Sequence, residues 1–178
     1  MPTLYLFPTR AEAAAFERLC PKAAVGIIGV GMAEAAASAA RLIVELRPRR
    51  VVLCGIAGAC DERLGVGEVV EVVSDSVAEL PARFALKYPS APITRLPKVR
   101  SFSVSRTGAS LPLQKDDALH SVEQMEGAAV AAVAKQLGVD FHHIRAISNR
   151  VSDARSAWRI AEAVEALGEA LKAEIENE

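Results

Sequence analysis

An α/β domain on a largely parallel sheet is what this sequence predicts, on two observations. Short aliphatic runs alternate with alanine-rich segments through residues 1–75, the pattern of strands joined by crossover helices. Hydrophobic residues make up 51% of the chain but aromatic ones only 4%, so the apolar content is mostly aliphatic side chains and alanine, which suits helices packed closely on a sheet. A length of 178 residues predicts a single domain, 1–178, long enough for a sizeable core.

The elements follow in order. Residues 3–7 are a short β-rich run closed by Pro8, and residues 10–20 are alanine-rich, with Phe16 and Leu19 three apart as on a helix. Residues 24–30 form a second apolar run ending in Gly29-Val30-Gly31. Residues 33–46 hold strong helix formers and stop before Pro48. Residues 51–54 read as a third strand, followed by Gly55-Ile56-Ala57-Gly58, and residues 69–73 as a fourth. Residues 78–115 carry Pro81, Pro89, Pro92, Pro97 and Pro112, and only 101–105 looks like a strand. Apolar residues still punctuate this stretch, so it reads as an irregular excursion within the domain. Residues 126–137 predict a helix of small residues stopped by Gly138. Residues 139–148 predict a strand carrying His142, His143 and Arg145. A last helix is expected from near Ser156, with Ile160, Val164, Leu167, Leu171 and Ile175 at helical spacing.

Composition removes several function classes. A net charge of −1 with both signs interspersed offers no basic surface for phosphates, so no nucleic acid is expected as a partner. Cys20, Cys54 and Cys60 are too few and wrongly spaced for a disulfide framework or zinc ribbon, and Cys54 reads as a buried thiol. The start, MPTLYLFPTR, does not read as a signal peptide, and no run approaches the roughly 18 apolar residues of a membrane helix. The cytoplasm is the expected setting, without a membrane. His142 and His143 are adjacent on a strand and face opposite ways, with His120 far off in sequence, so no metal is expected. No G-x-S-x-G elbow is present either.

Ligands of parallel α/β sheets bind beyond the carboxyl ends of the strands. Glu12, Gly29-Val30-Gly31, the 55–58 segment and Ser148-Asn149 meet that condition. Glu126 joins them if its helix starts at the same edge. Each has an ordinary explanation as well. Glycines at 55 and 58 let a backbone approach a ligand, but also suit a tight turn. Gly29-Val30-Gly31 is half a dinucleotide fingerprint, yet Glu34 stands where the third glycine belongs, so no nicotinamide cofactor is expected. The helix dipole alone favours Glu12 and Glu126 in first turns, and Asn149 could cap a turn.

The order of these segments adds what none carries alone. G-V-G-M-A-E-A-A-A (29–37), C-G-I-A-G (54–58), L-G-V-G-E-V-V (64–70), Q-M-E-G-A-A-V-A (124–131) and I-R-A-I-S-N (144–149) together resemble the nucleoside phosphorylase and nucleosidase superfamily over nearly the whole chain. The resemblance implies a three-layer α/β/α fold around a mixed, twisted sheet, assembled as a homodimer or higher homo-oligomer. It implies a small nucleoside as substrate and no cofactor. By position, Glu126 resembles the carboxylate that grips the ribose hydroxyls, with Met125 against the sugar and Ala57 and Gly58 lining the pocket. Gly31 and Ser148 complete the candidate substrate-binding set. Glu12 resembles the residue that positions or activates water in nucleosidases, whereas phosphorylases use glycine and arginine there for phosphate; Arg10 is nearby.

Asn149 stands where adenosine-type nucleosidases have aspartate. Asparagine cannot deliver a proton, but its amide can donate hydrogen bonds to a purine N7 or 6-oxo group. The segment 147–158, I-S-N-R-V-S-D-A-R-S-A-W, also resembles futalosine hydrolases of menaquinone biosynthesis, whose substrate is an inosine with an aromatic carboxylate at its 5′ end. That implies release of hypoxanthine, with Arg150, Arg155 or Arg106 as candidates to meet the carboxylate. The alternatives are a methylthioadenosine/S-adenosylhomocysteine-type nucleosidase, a purine nucleoside phosphorylase, or a non-catalytic nucleoside-binding relative. Where the superfamily carries a G-D-x-F segment whose phenylalanine stacks on the base, this chain has Gly108-Ala109-Ser110-Leu111. Phe84, Phe102 or Leu111 are then the candidates to cover the base, or the pocket is more open.

Overall fold

The computed structural model describes residues 3–81, 83–109, 111 and 118–176; Ser110 and Pro112 lie outside them. In order the elements are β1 (Thr3–Phe7), α1 (Arg10–Leu19), β2 (Ala24–Ile27), α2 (Met32–Leu46), β3 (Arg50–Ala59) and β4 (Val69–Val77). Then come β5 (Lys87–Pro89), β6 (Lys98–Ser103), β7 (His120–Gln124), α3 (Gly127–Leu137), β8 (Asp140–Arg150) and α4 (Ile160–Glu176).

The strands form one mixed eight-stranded sheet, as the family resemblance implied, where the alternation of strands and helices alone predicted a largely parallel one. β1 pairs in parallel with β2 and β3, β3 with β8, and β6 with β4 and β7. Antiparallel pairs join β3 to β7, β4 to β5 and β4 to β8. These pairings close a ring that runs β3, β8, β4, β6, β7 and back to β3.

Alternation along the central strands explains the layers. Tyr5, Phe7, Val52, Cys54, Ile144 and Ala146 pack on one side with Phe16 of α1 and Leu167 and Leu171 of α4. Leu4, Leu6, Val51 and Leu53 face the other way, against Ala35, Ala39 and Ile43 of α2 and Val130 of α3. Strands covered on both faces are aliphatic at every position rather than at every second one. Cys54 is the buried thiol expected, at 0% exposure.

Several boundaries differ from the sequence-based expectation. The 55–58 segment is not a loop after β3 but its second half, held in register with β8. Ser148 and Asn149 likewise lie inside β8. The register of β3 and β8 shifts between Ala57 and Gly58, so Ile147 and Asn149 are paired while Ser148 is passed over. Such an irregularity re-aims side chains near the end of a strand. Glu126 is the N-cap of α3 rather than its first residue, and Gly138 ends that helix in the left-handed conformation, as expected. α4 begins at Ile160, because Arg155–Ala157 is a separate 3-10 turn. β5 and β7 were not expected at all. The proline-rich middle is tied down by Glu71, which accepts hydrogen bonds from Ile93 N, Thr94 N and Oγ1, and Lys98 Nζ.

α1 and α4 approach closely because Gly168 has no side chain. A Cβ there would sit 2.8 Å from Ala15 Cβ, 3.0 Å from Ala15 C and 3.1 Å from Phe16 N. Alanine is worth about 1 kcal/mol more than glycine inside a helix. Backbone atoms cannot give way as a flexible side chain can, so the clash outweighs that gain. Gly168→Ala is expected to destabilise the fold by about 1–3 kcal/mol, read as a lower urea midpoint. A raised midpoint would contradict this packing.

Candidate active site

Arg145 is a buried cation within the sheet, 1% exposed. It pairs in register with Gly55 on β3, and its guanidinium fills the space a side chain there would need. A Cβ on Gly55 would lie 2.5 Å from Arg145 Nη1 and 2.7 Å from Glu12 Oε2. Nη1 donates to Ile56 O at 3.1 Å. Nη2 donates to Gln124 Oε1 and to Glu126 Oε2, each at 3.2 Å. Nε donates to His143 Nε2 at 2.7 Å. Arginine has no acceptor, so His143 Nε2 carries no proton and the ring hydrogen sits on Nδ1. That atom faces Asp75 Oδ2 at 3.7 Å and has no hydrogen-bond partner among the described residues. Burial, with the Arg145 charge acting the same way, holds the His143 pKa well below its ordinary value.

Both candidate carboxylates are organised around this cation. Glu126 Oε1 accepts from Gly31 N at 3.0 Å, and Oε2 from Arg145. Gly31 holds φ at +89°, a conformation glycine adopts without strain, and so turns its N–H into the site. Glu12 lies in the first turn of α1, where T-R-A-E has the spacing of a capping box. The helix cap is made: Glu12 N donates to Thr9 Oγ1 at 3.2 Å. The Glu12 carboxylate, however, serves the site. Oε1 accepts from the Thr9 hydroxyl at 2.8 Å and Oε2 from Ile56 N at 3.0 Å. Burial raises its pKa, against the opposing pull of Arg145 and of the Ile56 and Thr9 hydrogen bonds.

Gln124 secures the start of α3. Its Oε1 accepts from Glu126 N at 2.7 Å and Gly127 N at 2.6 Å, two donors that a helix leaves unpaired at its first turn. Its Nε2 donates to Asp75 Oδ2, Ser101 Oγ and Ser103 Oγ. Asn149, 1% exposed, has its amide orientation fixed by neighbours. Nδ2 donates to Arg150 O at 2.7 Å and Oδ1 accepts from Ser148 Oγ at 2.7 Å. A carbonyl only accepts, so Nδ2 is the nitrogen.

These groups surround a cavity of 490 Å³. Glu12, Ala57, Gly58, Met125, Glu126, Ser148 and Asn149 all line it, and Gly31 contributes through its bond to Glu126 while its neighbour Val30 lines the wall. Of the three arginines considered for a 5′ carboxylate, Arg155 lines the cavity and stacks 4.3 Å over the Trp158 ring. Arg150 instead reaches Glu62, and Arg106 is not among the lining residues. Phe84, Phe102 and Leu111 do not line it either; Phe84 is 59% exposed and Phe102 is 4% exposed. Trp158 is the one aromatic lining residue among those described.

Sequence reasoning assigned no role to Arg145, Gln124, His143, Asp75 or Glu123. Arg145 carried a signal, a charged residue within an aliphatic strand. His143 lies in that same strand, while Gln124, Asp75 and Glu123 sit in segments that read as polar and meet their neighbours only once the sheet closes.

The chain belongs to the phosphorylase superfamily, whose family model matches residues 21–111. Among solved structures, it is similar to a futalosine hydrolase mutant of Helicobacter pylori, at TM-score 0.86 and 15% identity over 100% of each chain. It is also similar to a 5′-methylthioadenosine/S-adenosylhomocysteine nucleosidase of Helicobacter pylori, at TM-score 0.85 and 14% identity over 100% of this chain and 99% of the other. An S-adenosylhomocysteine nucleosidase of Streptococcus pyogenes gives TM-score 0.83 and 20% identity over 99% and 97%. At these identities the likeness is one of fold. No curated protein matches the sequence.

Asp75 allows a direct test of the network. Burial raises its carboxyl from 3.8 to about 7, against the Ser103 hydrogen bond and the Arg145 charge. The folded state therefore holds a proton that the unfolded chain has released between those values. That contribution to stability is complete below the lower value and is lost as pH rises through the upper one. Unfolding measured across about pH 4 to 7 should show Asp75→Asn lacking this part of the decline. Parallel curves for wild type and variant would refute the assignment.

Proposed function

We propose that this chain hydrolyses the N-glycosidic bond of a 6-oxopurine nucleoside of the futalosine type and releases hypoxanthine. The observation that carries the proposal is the convergence of Glu12, Glu126 and Asn149 on one 490 Å³ cavity, three residues drawn from distant parts of the chain. Cleavage of a ribosyl C–N bond develops positive charge on the sugar and negative charge on the departing base. Glu126, held by Arg145 and Gly31, accepts hydrogen bonds from the ribose hydroxyls and stabilises the first charge. Asn149 donates Nδ2–H to N7 or O6 and stabilises the second. Glu12 orients a water and takes its proton as the oxygen bonds to C1′. The C1′–N9 electron pair leaves with the base, which acquires its proton from solvent.

Two further features support this substrate class. Arg155 has no acidic partner among the described residues and stacks on Trp158 at the cavity wall, a pairing suited to an aromatic carboxylate on the 5′ end. Arg10, the residue weighed for phosphate, pairs instead with Glu17 at 2.7 Å and does not line the cavity. That favours water over phosphate as the nucleophile.

The test is base release from futalosine, inosine and methylthioadenosine, each with and without phosphate. Hypoxanthine from futalosine, independent of phosphate, is the expected result. Strict phosphate dependence would make the chain a phosphorylase, and adenine from methylthioadenosine alone would make it an adenosine-type nucleosidase. Glu126→Gln and Glu12→Gln should each lower kcat by about 10²–10⁴ while the protein stays folded by circular dichroism. Full activity in Glu126→Gln would remove that residue from the mechanism. Asn149→Asp should move preference towards 6-aminopurine nucleosides in the same assay, and an unchanged preference would count against its proposed contact.

A further inference from the structure

His143 and Arg145 are two residues apart on β8 and so share a face of the sheet. His143 is 0% exposed, and its ring is enclosed on several sides. A Cβ on Gly127 would lie 2.6 Å from His143 Cε1 and would collide with Asp75 Oδ2, so the first residue of α3 rests on the imidazole. The Phe141 ring flanks it at 6.0 Å between centroids, and Asp75 Oδ2 lies 3.7 Å from Nδ1. Nε2 is turned to Arg145.

An aliphatic side chain would fill this space without the cost of burying an imidazole. What the imidazole adds is an acceptor. Of the four hydrogen bonds that Arg145 donates, the one to His143 Nε2 is the shortest, at 2.7 Å, against 3.1 Å to Ile56 O and 3.2 Å to Gln124 and Glu126. A guanidinium is a rigid plane. Its Nε adjoins the flexible stem, so fixing the direction of Nε–H fixes where both Nη atoms point. Nη2 is the atom that meets Glu126 Oε2. Burial beside the Arg145 charge keeps the His143 ring neutral, and a protonated Nε2 could not accept from Arg145 at all.

We infer that His143 is a positioning residue for Glu126: its Nε2 pins the Nε–H of Arg145, and the guanidinium so oriented holds the Glu126 carboxylate ready for the hydroxyls of a ribose. This rests on the ribose contact assigned to Glu126 above. His143 is not among the residues that line the cavity, so it acts through Arg145 and not on the ligand.

Two variants separate positioning from packing. His143→Leu fills the space and removes the acceptor, whereas His143→Gln offers an amide oxygen to Arg145 Nε–H. Each should be compared with wild type by calorimetry with inosine and with 2′,3′-dideoxyinosine, which lacks the hydroxyls Glu126 would hold. Futalosine kcat/KM should be measured alongside. His143→Leu is expected to weaken inosine binding and to lower futalosine kcat/KM by about tenfold or more, with dideoxyinosine binding unchanged. His143→Gln should recover most of both losses. Nitrogen NMR of labelled histidine in wild type, which needs no variant to fold, should show His143 protonated on Nδ1 and bare on Nε2. A proton on Nε2 overturns the inference. So does His143→Leu if it weakens both ligands equally or leaves both unchanged, and so does His143→Gln if it behaves as His143→Leu. A wild type that does not prefer inosine to its dideoxy analogue overturns it too. If wild type cleaves no nucleoside yet owes that preference to His143, the hydrolase proposal fails and this one stands. If wild type cleaves futalosine and His143→Leu cleaves it equally well, the reverse holds.

Discussion

One buried guanidinium organises the centre of this molecule. Removing a charge from water costs several kcal/mol even after relaxation, so Arg145 is stable in the sheet only if its hydrogens are matched. Four of its five are: a backbone carbonyl, an amide oxygen, a carboxylate and an imidazole nitrogen accept them. These acceptors come from β3, β7, the cap of α3 and β8 itself. The cation therefore works as a register device for the closed ring of strands. A one-residue slip of β8 would turn Arg145 to the other face, into the aliphatic layer around Cys54 and Ile144.

The same constraint sets the chemistry available in the cavity. The Glu126 charge raises the pKa of Glu12 a little further beyond burial, and Arg145 opposes both effects. Backbone amides do the rest of the work, Gly31 N for Glu126 and Ile56 N for Glu12. Both carboxylates are thus held before any ligand arrives, by groups that need not move during a reaction. Behind them, Gln124 links the start of α3 to Asp75, Ser101 and Ser103. A change at Asp75 reaches the site through that amide, through Ser103 Oγ, which also accepts from Ala128 N of α3, and through His143.

Much of this was legible in the sequence, and the parts that were not share a cause. The aliphatic strands and the alanine-rich helices showed because packing on two faces leaves a local pattern. The motifs placed Glu12, Ala57, Gly58, Met125, Glu126, Ser148 and Asn149, and all of them line one cavity. Residues 55–58 read as a loop because glycine and alanine are poor strand formers; the β8 ladder and the guanidinium over Gly55 keep them extended. β7, H-S-V-E-Q, carries no aliphatic alternation, since Val122 is its one buried aliphatic residue and its other buried side chains are polar, with neighbours far away in sequence. The base-covering candidates Phe84, Phe102 and Leu111 failed for the complementary reason. Their proximity to the cavity depended on the path of the middle segment, which is set by long-range contacts such as those of Glu71 with residues 93–98.

Electrostatics give the proposed hydrolysis its strongest physical footing. The cavity wall carries Glu12, Glu123 and Glu126, while its buried cation, Arg145, is already engaged with four acceptors. A phosphate nucleophile would bring negative charge to a wall that carries three carboxylates. Water brings none, and the transition state of glycosidic cleavage places positive charge on the sugar, which such a wall favours. The same carboxylates that would repel an anionic co-substrate would stabilise the cation-like sugar, so one charge arrangement favours both the nucleophile and the reaction proposed.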